Sequence, residues 1–130
     1  MIMDASGTHI VFEIKGRQAH LKAQELECLM REAADLAGAT ILGAFLHPFG
    51  QNFGVTGFLV LAESHISVHT WPEHDYAAFD VFMCGDTEPQ AAVDHIAAFD
   101  PHSLLTQKTI MRSAPKLLVG SSPREVFPSE

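Results

Sequence analysis

Four runs of strand character follow one another between residues 39 and 83, with no helical pattern between them. They are Ala39 to Leu46, Val55 to Ala62, Ile66 to Trp71 and Tyr76 to Met83. The stretch "HPFGQNFG", His47 to Gly54, is a loop rich in turn formers, and a turn or pairing break is expected near Glu63 and Ser64. Strands that succeed one another directly favour antiparallel pairing, because parallel neighbours need a long crossover. A further strand is expected from His9 to Ile14, where Ile10, Phe12 and Ile14 alternate, and another from Ser103 to Met111.

Two helices complete the pattern. Leu21 to Ala37 carries Leu26, Leu29, Met30, Ala33, Ala34 and Ala37 on one face, and Gly38 ends it. Cys28 in this helix is expected to be an inert core or partly buried thiol. Thr87 to Phe99 reads as a shorter helix, with Thr87 as cap and Gln90 at the capping-box position. The order β-α-β-β-β-β-α-β gives an α+β two-layer sandwich, a mainly antiparallel sheet with two helices on one face. The other face is left to solvent or to a partner, so dimerisation is expected. The chain of 130 residues suits a single domain, expected over residues 1–112. A loose tail is expected over residues 113–130, with Pro115, Pro123 and Pro128 and several serines.

The net charge is −8, and no Lys or Arg occurs between Arg31 and Lys108. Nucleic-acid binders need a basic footprint, so no nucleic-acid partner is expected. The same stretch holds Glu63, Glu73, Asp75, Asp80 and Asp86. It reads either as a solvated acidic surface or as a site that attracts a cation. No apolar run is long enough to span a membrane, and no signal-peptide pattern opens the sequence. Cys28 and Cys84 form no disulfide framework, so a reduced, cytoplasmic protein is expected.

The segment "AESHISVHTWPEHDYAAFDVFMCG", residues 62–85, concentrates the chemistry. It holds three histidines, a serine after a glutamate, the chain's one tryptophan, and Cys84. Taken singly, each has an ordinary structural explanation. A metal site from His65, His69, His74 and Cys84 is a second reading. In a straight strand, however, His65 and His69 share a face about 13 Å apart, too far for one ion. No metal is expected.

The combination points to a third reading. "GVTGFLVLAESHISVHTWPE" followed by "YAAFDVFMCG" resembles the prokaryotic S-adenosylmethionine decarboxylase proenzymes, as do "GTHI", "AGATIL" and the "HPF" of residues 47–49. The resemblance runs from about Gly7 to Met111. It implies a pyruvoyl-dependent carboxy-lyase that cuts its own Glu63–Ser64 bond. The Ser64 hydroxyl would attack the Glu63 carbonyl, against the resonance of a planar amide, and form an ester. Elimination would release the Glu63 carboxylate. The dehydroalanine left at residue 64 would tautomerise and hydrolyse to pyruvoyl and ammonia. By this resemblance His69 is the processing base, and Thr56 assists, its hydroxyl suited to an oxyanion. The pyruvoyl group would form a Schiff base with the substrate amine and act as electron sink. Cys84 would return a proton to the decarboxylated carbon, and thiols still carry theirs at neutral pH. Phe49 and Trp71 would sandwich the adenine of S-adenosylmethionine, and Glu73 would bind its ribose hydroxyls.

The implied product serves polyamine (spermidine) biosynthesis, and the implied assembly is a homodimer of cleaved protomers. A scarcity of basic residues suits a sulfonium substrate that must lose its carboxylate. Two alternatives stay open: the same scaffold decarboxylating ornithine or arginine, and an uncleaved, non-catalytic binding or regulatory homologue. Two stretches depart from the family pattern. "FGQNFG" is one residue longer than usual and lacks the common proline, and "EHD" at residues 73–75 replaces a Glu, variable, Gly pattern. Ser64 and His69 would also point to opposite faces of a straight strand, so the mechanism needs a bend near Ser64 or contact across a dimer.

Overall fold

The computed structural model of the chain describes residues 5–115. Six strands form one sheet: β1 (Gly7–Lys15), β2 (Ile41–Pro48), β3 (Val55–Leu61), β4 (Ser64–Trp71), β5 (Tyr76–Cys84) and β6 (Leu104–Arg112). Their order across the sheet is β2-β3-β4-β5-β1-β6, and every neighbouring pair is antiparallel. Helices α1 (Ala23–Leu36) and α2 (Pro89–Ala98) pack against each other and cover one face. The expected α+β two-layer sandwich is therefore the observed architecture.

Alternation along the strands sorts the side chains. Ile10, Phe12 and Ile14 of β1, Leu59 and Leu61 of β3, Ile66 and Val68 of β4, and Phe79, Val81 and Met83 of β5 point beneath the helices and are buried. Each such side chain contributes roughly 1.5–3 kcal/mol by leaving water. Leu26, Leu29, Met30, Ala33 and Ala34 meet them from α1, and Ala37 from its C-terminal cap, as the helical spacing requires. Gly38, at φ 80°, closes α1 with a pair of bonds from its own N–H to Asp35 and from Ala39 to Ala34. This is the Schellman arrangement, in which a left-handed residue satisfies the last carbonyls.

Three local expectations need correction. Cys28 is exposed, because it lies off the buried stripe of α1. Thr87 does not cap α2: its hydroxyl donates to the Cys84 carbonyl at 3.2 Å, and the helix starts two residues later at Pro89. A proline suits that place, since its missing N–H would have had no helical partner. Strand β4 begins at Ser64 rather than Ile66, so the break is a tight hairpin turn and not a gap in the pairing. Of the expected tail, residues 116–130 lie outside the described residues. No described helix is long and apolar enough to cross a membrane.

Candidate active site

The face that the helices leave open carries nearly all the chemistry. Pairing brings Thr56 against His69, Val60 against His65, Ser67 against Asp80, His65 against Phe82, and His9 against Phe82. Cys84 continues the open-face alternation of Asp80 and Phe82 along β5.

The β3–β4 hairpin has the unusual backbone. Leu61 pairs with Ser64, leaving Ala62 and Glu63 as a two-residue loop. Such loops normally take primed turns with positive φ at the central residues, which match the twist of the strands. Neither Ala62 nor Glu63 has positive φ; the positive angle falls on Ser64, at 147°. A side chain held in a sparsely populated region costs on the order of 1–3 kcal/mol. The turn is held from outside: the Ala62 N–H donates to the Thr40 carbonyl at 2.9 Å, and the Thr40 N–H to a Glu63 carboxylate oxygen at 2.9 Å. By strict alternation Ser64 belongs with the core side, opposite Met83. Its hydroxyl nevertheless lies 3.3 Å from Nδ1 of His65, which is an open-face residue. The chain does turn at Ser64, but the turn leaves the hydroxyl beside His65 and does not carry it toward His69.

The Glu63 carbonyl oxygen accepts two hydrogen bonds from one residue. The Cys84 N–H donates at 3.1 Å and the Cys84 thiol at 3.2 Å. Two donors aimed at one carbonyl draw charge onto its oxygen and stabilise an oxyanion there. A small cavity of about 260 Å³ opens beside Cys84, lined also by Gly7, Thr8, Gly85 and Asp86.

Next to this group lies a cluster that sequence reasoning missed. Asp80 Oδ2 meets His9 Nε2 at 2.6 Å and His65 Nε2 at 2.8 Å, while the Ser67 hydroxyl donates to Oδ1. Burial pushes the Asp80 carboxyl up, but hydrogen bonds from His65, Ser67 and His9 outweigh it and hold the group at about 2. One ligand atom from each of His9, His65 and Asp80 lies within 4.8 Å of the others, spacing that a divalent cation would accept. Arg112 donates to His9 Nδ1 at 3.3 Å and lies 4.5 Å from the centre of the Phe82 ring. A basic side chain thus stands on this face, although the surrounding sequence has none. The register would have located Asp80. Counting back from the pair Trp71–Tyr76 sets Ser67 opposite Asp80, beside His65.

The remaining expected residues gather at the other end of the sheet. Thr56 Oγ1 and His69 Nδ1 are 3.1 Å apart in a directly opposed pair. Trp71 stacks on Tyr76 at 5.1 Å, with His69 at 6.2 Å. Phe49 meets His47 at 4.8 Å, and no ring contact joins it to Trp71 among the described residues. Glu73 is exposed in the short 3-10 turn Pro72–His74. Five residues of strand separate Ser64 from His69, about 16 Å. Within one chain the fold therefore brings Glu63, Ser64 and Cys84 together, and Thr56 and His69 together, but not the two groups.

A family model described as S-adenosylmethionine decarboxylase matches residues 8–113. The chain belongs to the S-adenosylmethionine decarboxylase family. It is 44% identical over 95 residues to the S-adenosylmethionine decarboxylase proenzyme of Pyrobaculum neutrophilum, covering 71% of this chain and 77% of that protein. The proenzyme of the same name from Thermotoga maritima is 41% identical over 97 residues, 72% of this chain and 74% of its own. The crystal structure of the adenosylmethionine decarboxylase from Aquifex aeolicus superposes with a TM-score of 0.74 at 30% identity, covering 87% of this chain and 95% of that one. The strand order and the open sheet face described above are thus those of a decarboxylase-family member.

Proposed function

We propose that this chain is a pyruvoyl-dependent S-adenosylmethionine decarboxylase that generates its own cofactor by cleaving Glu63–Ser64. The observation that carries the reading is the doubly hydrogen-bonded Glu63 carbonyl beside the strained Ser64. An amide whose carbonyl is polarised and whose next residue is backbone-strained is disposed to rearrange, and a hydroxyl is already at hand. The residues present fit a pyruvoyl group: position 64 lies on an accessible hairpin with the Cys84 thiol next to its carbonyl neighbour. Such a group supplies a ketone that takes up an amine and withdraws electrons as carbon dioxide departs.

The chain's own residues divide the remaining work. Cys84 holds the developing oxyanion during processing and carries a proton that the decarboxylated carbon needs. Thr56 orients His69, which removes the Ser64 α-proton. Trp71, with Tyr76 on one face, offers the other face to an adenine; by the family resemblance Phe49 would supply the second aromatic and Glu73 would bind the ribose. A flat aromatic surface also suits a sulfonium cation. The product is the aminopropyl donor for polyamines such as spermidine. The compartment consistent with this role, and with free thiols, is the cytoplasm.

His69 reaches Ser64 only if a second copy supplies it. The open face has the character of an interface: Phe45, Phe58, Val60 and Ile110 are all exposed on it. A two-fold axis between two such faces, crossing the strands, sets the Ser64 end of one sheet against the His69 end of the other. The working form is accordingly a homodimer.

Denaturing mass spectrometry of purified protein tests the reading. Expected are fragments 1–63 and 64–130, the latter lacking a free α-amino group, together with carbon dioxide release from S-adenosylmethionine. Ser64→Ala should remain one chain. Wild-type chain that stays intact through long incubation would overturn the proposal, and equal turnover of ornithine would overturn the substrate assignment.

A further inference from the structure

We propose that Ser64, His65 and Asp80 form a hydrogen-bonded relay in which His65 is the base for the first step of self-cleavage and Asp80 is its positioning residue. The inference deepens the self-processing reading and rests on it. His69, about 16 Å away along the strand, is left with the later removal of the α-proton.

The hydrogen bonds fix the roles of the two ring nitrogens. Asp80 is an acceptor only, so the His65 Nε2 that meets it at 2.8 Å carries the ring proton. Nδ1 is then the unprotonated nitrogen, and it is the atom 3.3 Å from the Ser64 hydroxyl. The second carboxylate oxygen is taken by Ser67, which keeps the carboxylate from rotating. This is the logic of an activated nucleophile: hydroxyl, imidazole and carboxylate in series, with the carboxylate setting the tautomer. Here nucleophile and base are neighbours in sequence. A straight strand would send them to opposite faces; the positive φ of Ser64 brings the hydroxyl back to the face of His65.

The step balances without a further reactant. The Ser64 Oγ–H proton passes to His65 Nδ1 as Oγ bonds to the Glu63 carbonyl carbon. The resulting oxyanion is held by the Cys84 N–H and thiol. Collapse breaks the Glu63 C–Ser64 N bond, and the proton on Nδ1 moves to the departing nitrogen. The product is an ester from Glu63 to the Ser64 side chain, with a free amine on Ser64 and His65 neutral again. Asp80 stabilises the transient imidazolium through Nε2.

The experiment compares the cleavage rate of wild type, His65→Ala, His65→Gln, Asp80→Asn and Asp80→Glu on the full chain, with thermal unfolding to establish folding. His65→Ala and His65→Gln should slow cleavage about 100-fold or more while staying folded, the usual scale for a positioned base. Asp80→Asn should slow it about tenfold, while Asp80→Glu, which keeps a carboxylate acceptor for Nε2, should recover most of the loss; equal defects in the two folded variants would remove Asp80 from the relay. The charged or titratable groups facing this imidazole are Asp80 from β5 and, one ring further, His9 from β1 with Arg112 from β6; β3 offers only Val60 and Phe58. A thiol attacks with little help from a base, so Ser64→Cys combined with His65→Ala should regain a hydroxylamine-labile bond at Glu63. If wild type cleaves and folded His65→Ala keeps pace with it, the relay is wrong and the self-processing reading stands. The relay also fails if the folded double variant gives no labile bond while Ser64→Cys alone does. If wild type never cleaves, the self-processing reading fails and takes the relay with it.

Discussion

The thiol of Cys84 lies 3.2 Å from the carbonyl oxygen of Glu63, and the backbone N–H of the same cysteine lies 3.1 Å from it. One residue from the end of β5 thus grips the peptide that begins β4. The pairing of Ser64 with Met83 dictates this, since it carries the ladder one step further to Glu63 and Cys84. In the mechanism proposed above, the Cys84 thiol would serve as oxyanion donor for processing and as proton donor for turnover.

Cys84→Ala removes the thiol and leaves the N–H. Cleavage should persist, slowed about tenfold, because one of two donors remains. Turnover should fail differently. Carbon dioxide should still be released, but protonation at the wrong carbon should leave alanine at position 64. Mass spectrometry of the C-terminal fragment after substrate exposure reads this directly. Sustained, normal turnover would mean that another group is the acid.

Asp80 makes an acid-stability prediction whose sign is fixed. Its carboxyl titrates at about 2 in the fold against 3.8 ordinarily. As pH falls, the unfolded chain takes up the proton first. The stabilisation is therefore complete above about pH 4 and is lost progressively as pH falls toward 2. Asp80→Asn should abolish this part of the pH dependence. Urea unfolding midpoints of both proteins between pH 5 and pH 2 check it, and parallel curves would contradict it.

Much of this was legible before the structure. Strand count, helix faces and the antiparallel sheet follow from patterning, because alternation and the 3.6-residue repeat are local signals. The chemistry of Ser64 and His69 called for either a bend near Ser64 or contact across a dimer; the chain turns at Ser64, yet the two residues stay toward opposite ends of β4. What stayed hidden depends on register across strands. His9, Asp80 and Arg112 come from β1, β5 and β6, and no spacing in the sequence announces that they share a face. The Thr87 cap failed because a competing acceptor, the Cys84 carbonyl, lay within reach of its hydroxyl.

Trp71 should matter for substrate and not for cleavage. Its ring is stacked on Tyr76 on one side and partly exposed on the other. Loss of a base–aromatic stack worth roughly 1–3 kcal/mol predicts a tenfold to hundredfold weaker binding of S-adenosylmethionine by Trp71→Ala. Fragment formation should proceed at the wild-type rate. Calorimetric titration and a cleavage time course separate the two effects. Unchanged affinity would remove Trp71 from the substrate site.

The separation of Ser64 from His69 leads to a prediction about two chains. A single sheet holds them about 16 Å apart, and strands do not stretch or fold back to close such a gap. The proposed face-to-face dimer would close it by symmetry. Ser64→Ala chains cannot be cut but still present His69. His69→Ala chains keep the cleavable serine but lack the base, and alone should remain intact or stop at an alkali-labile ester. Mixed as dimers, the two defects should complement. Differently tagged chains should be co-expressed and separated under denaturing conditions. Fragments should then come from the His69→Ala chain alone, and from about half of it if the chains pair at random. Phe58→Glu, which sets a charge in the exposed apolar face, should reduce both dimer content and complementation. Cleavage of His69→Ala in the absence of the second chain would show that His69 is not the elimination base. Folded, dimeric mixtures that yield no fragments would show that the partner's His69 does not reach Ser64.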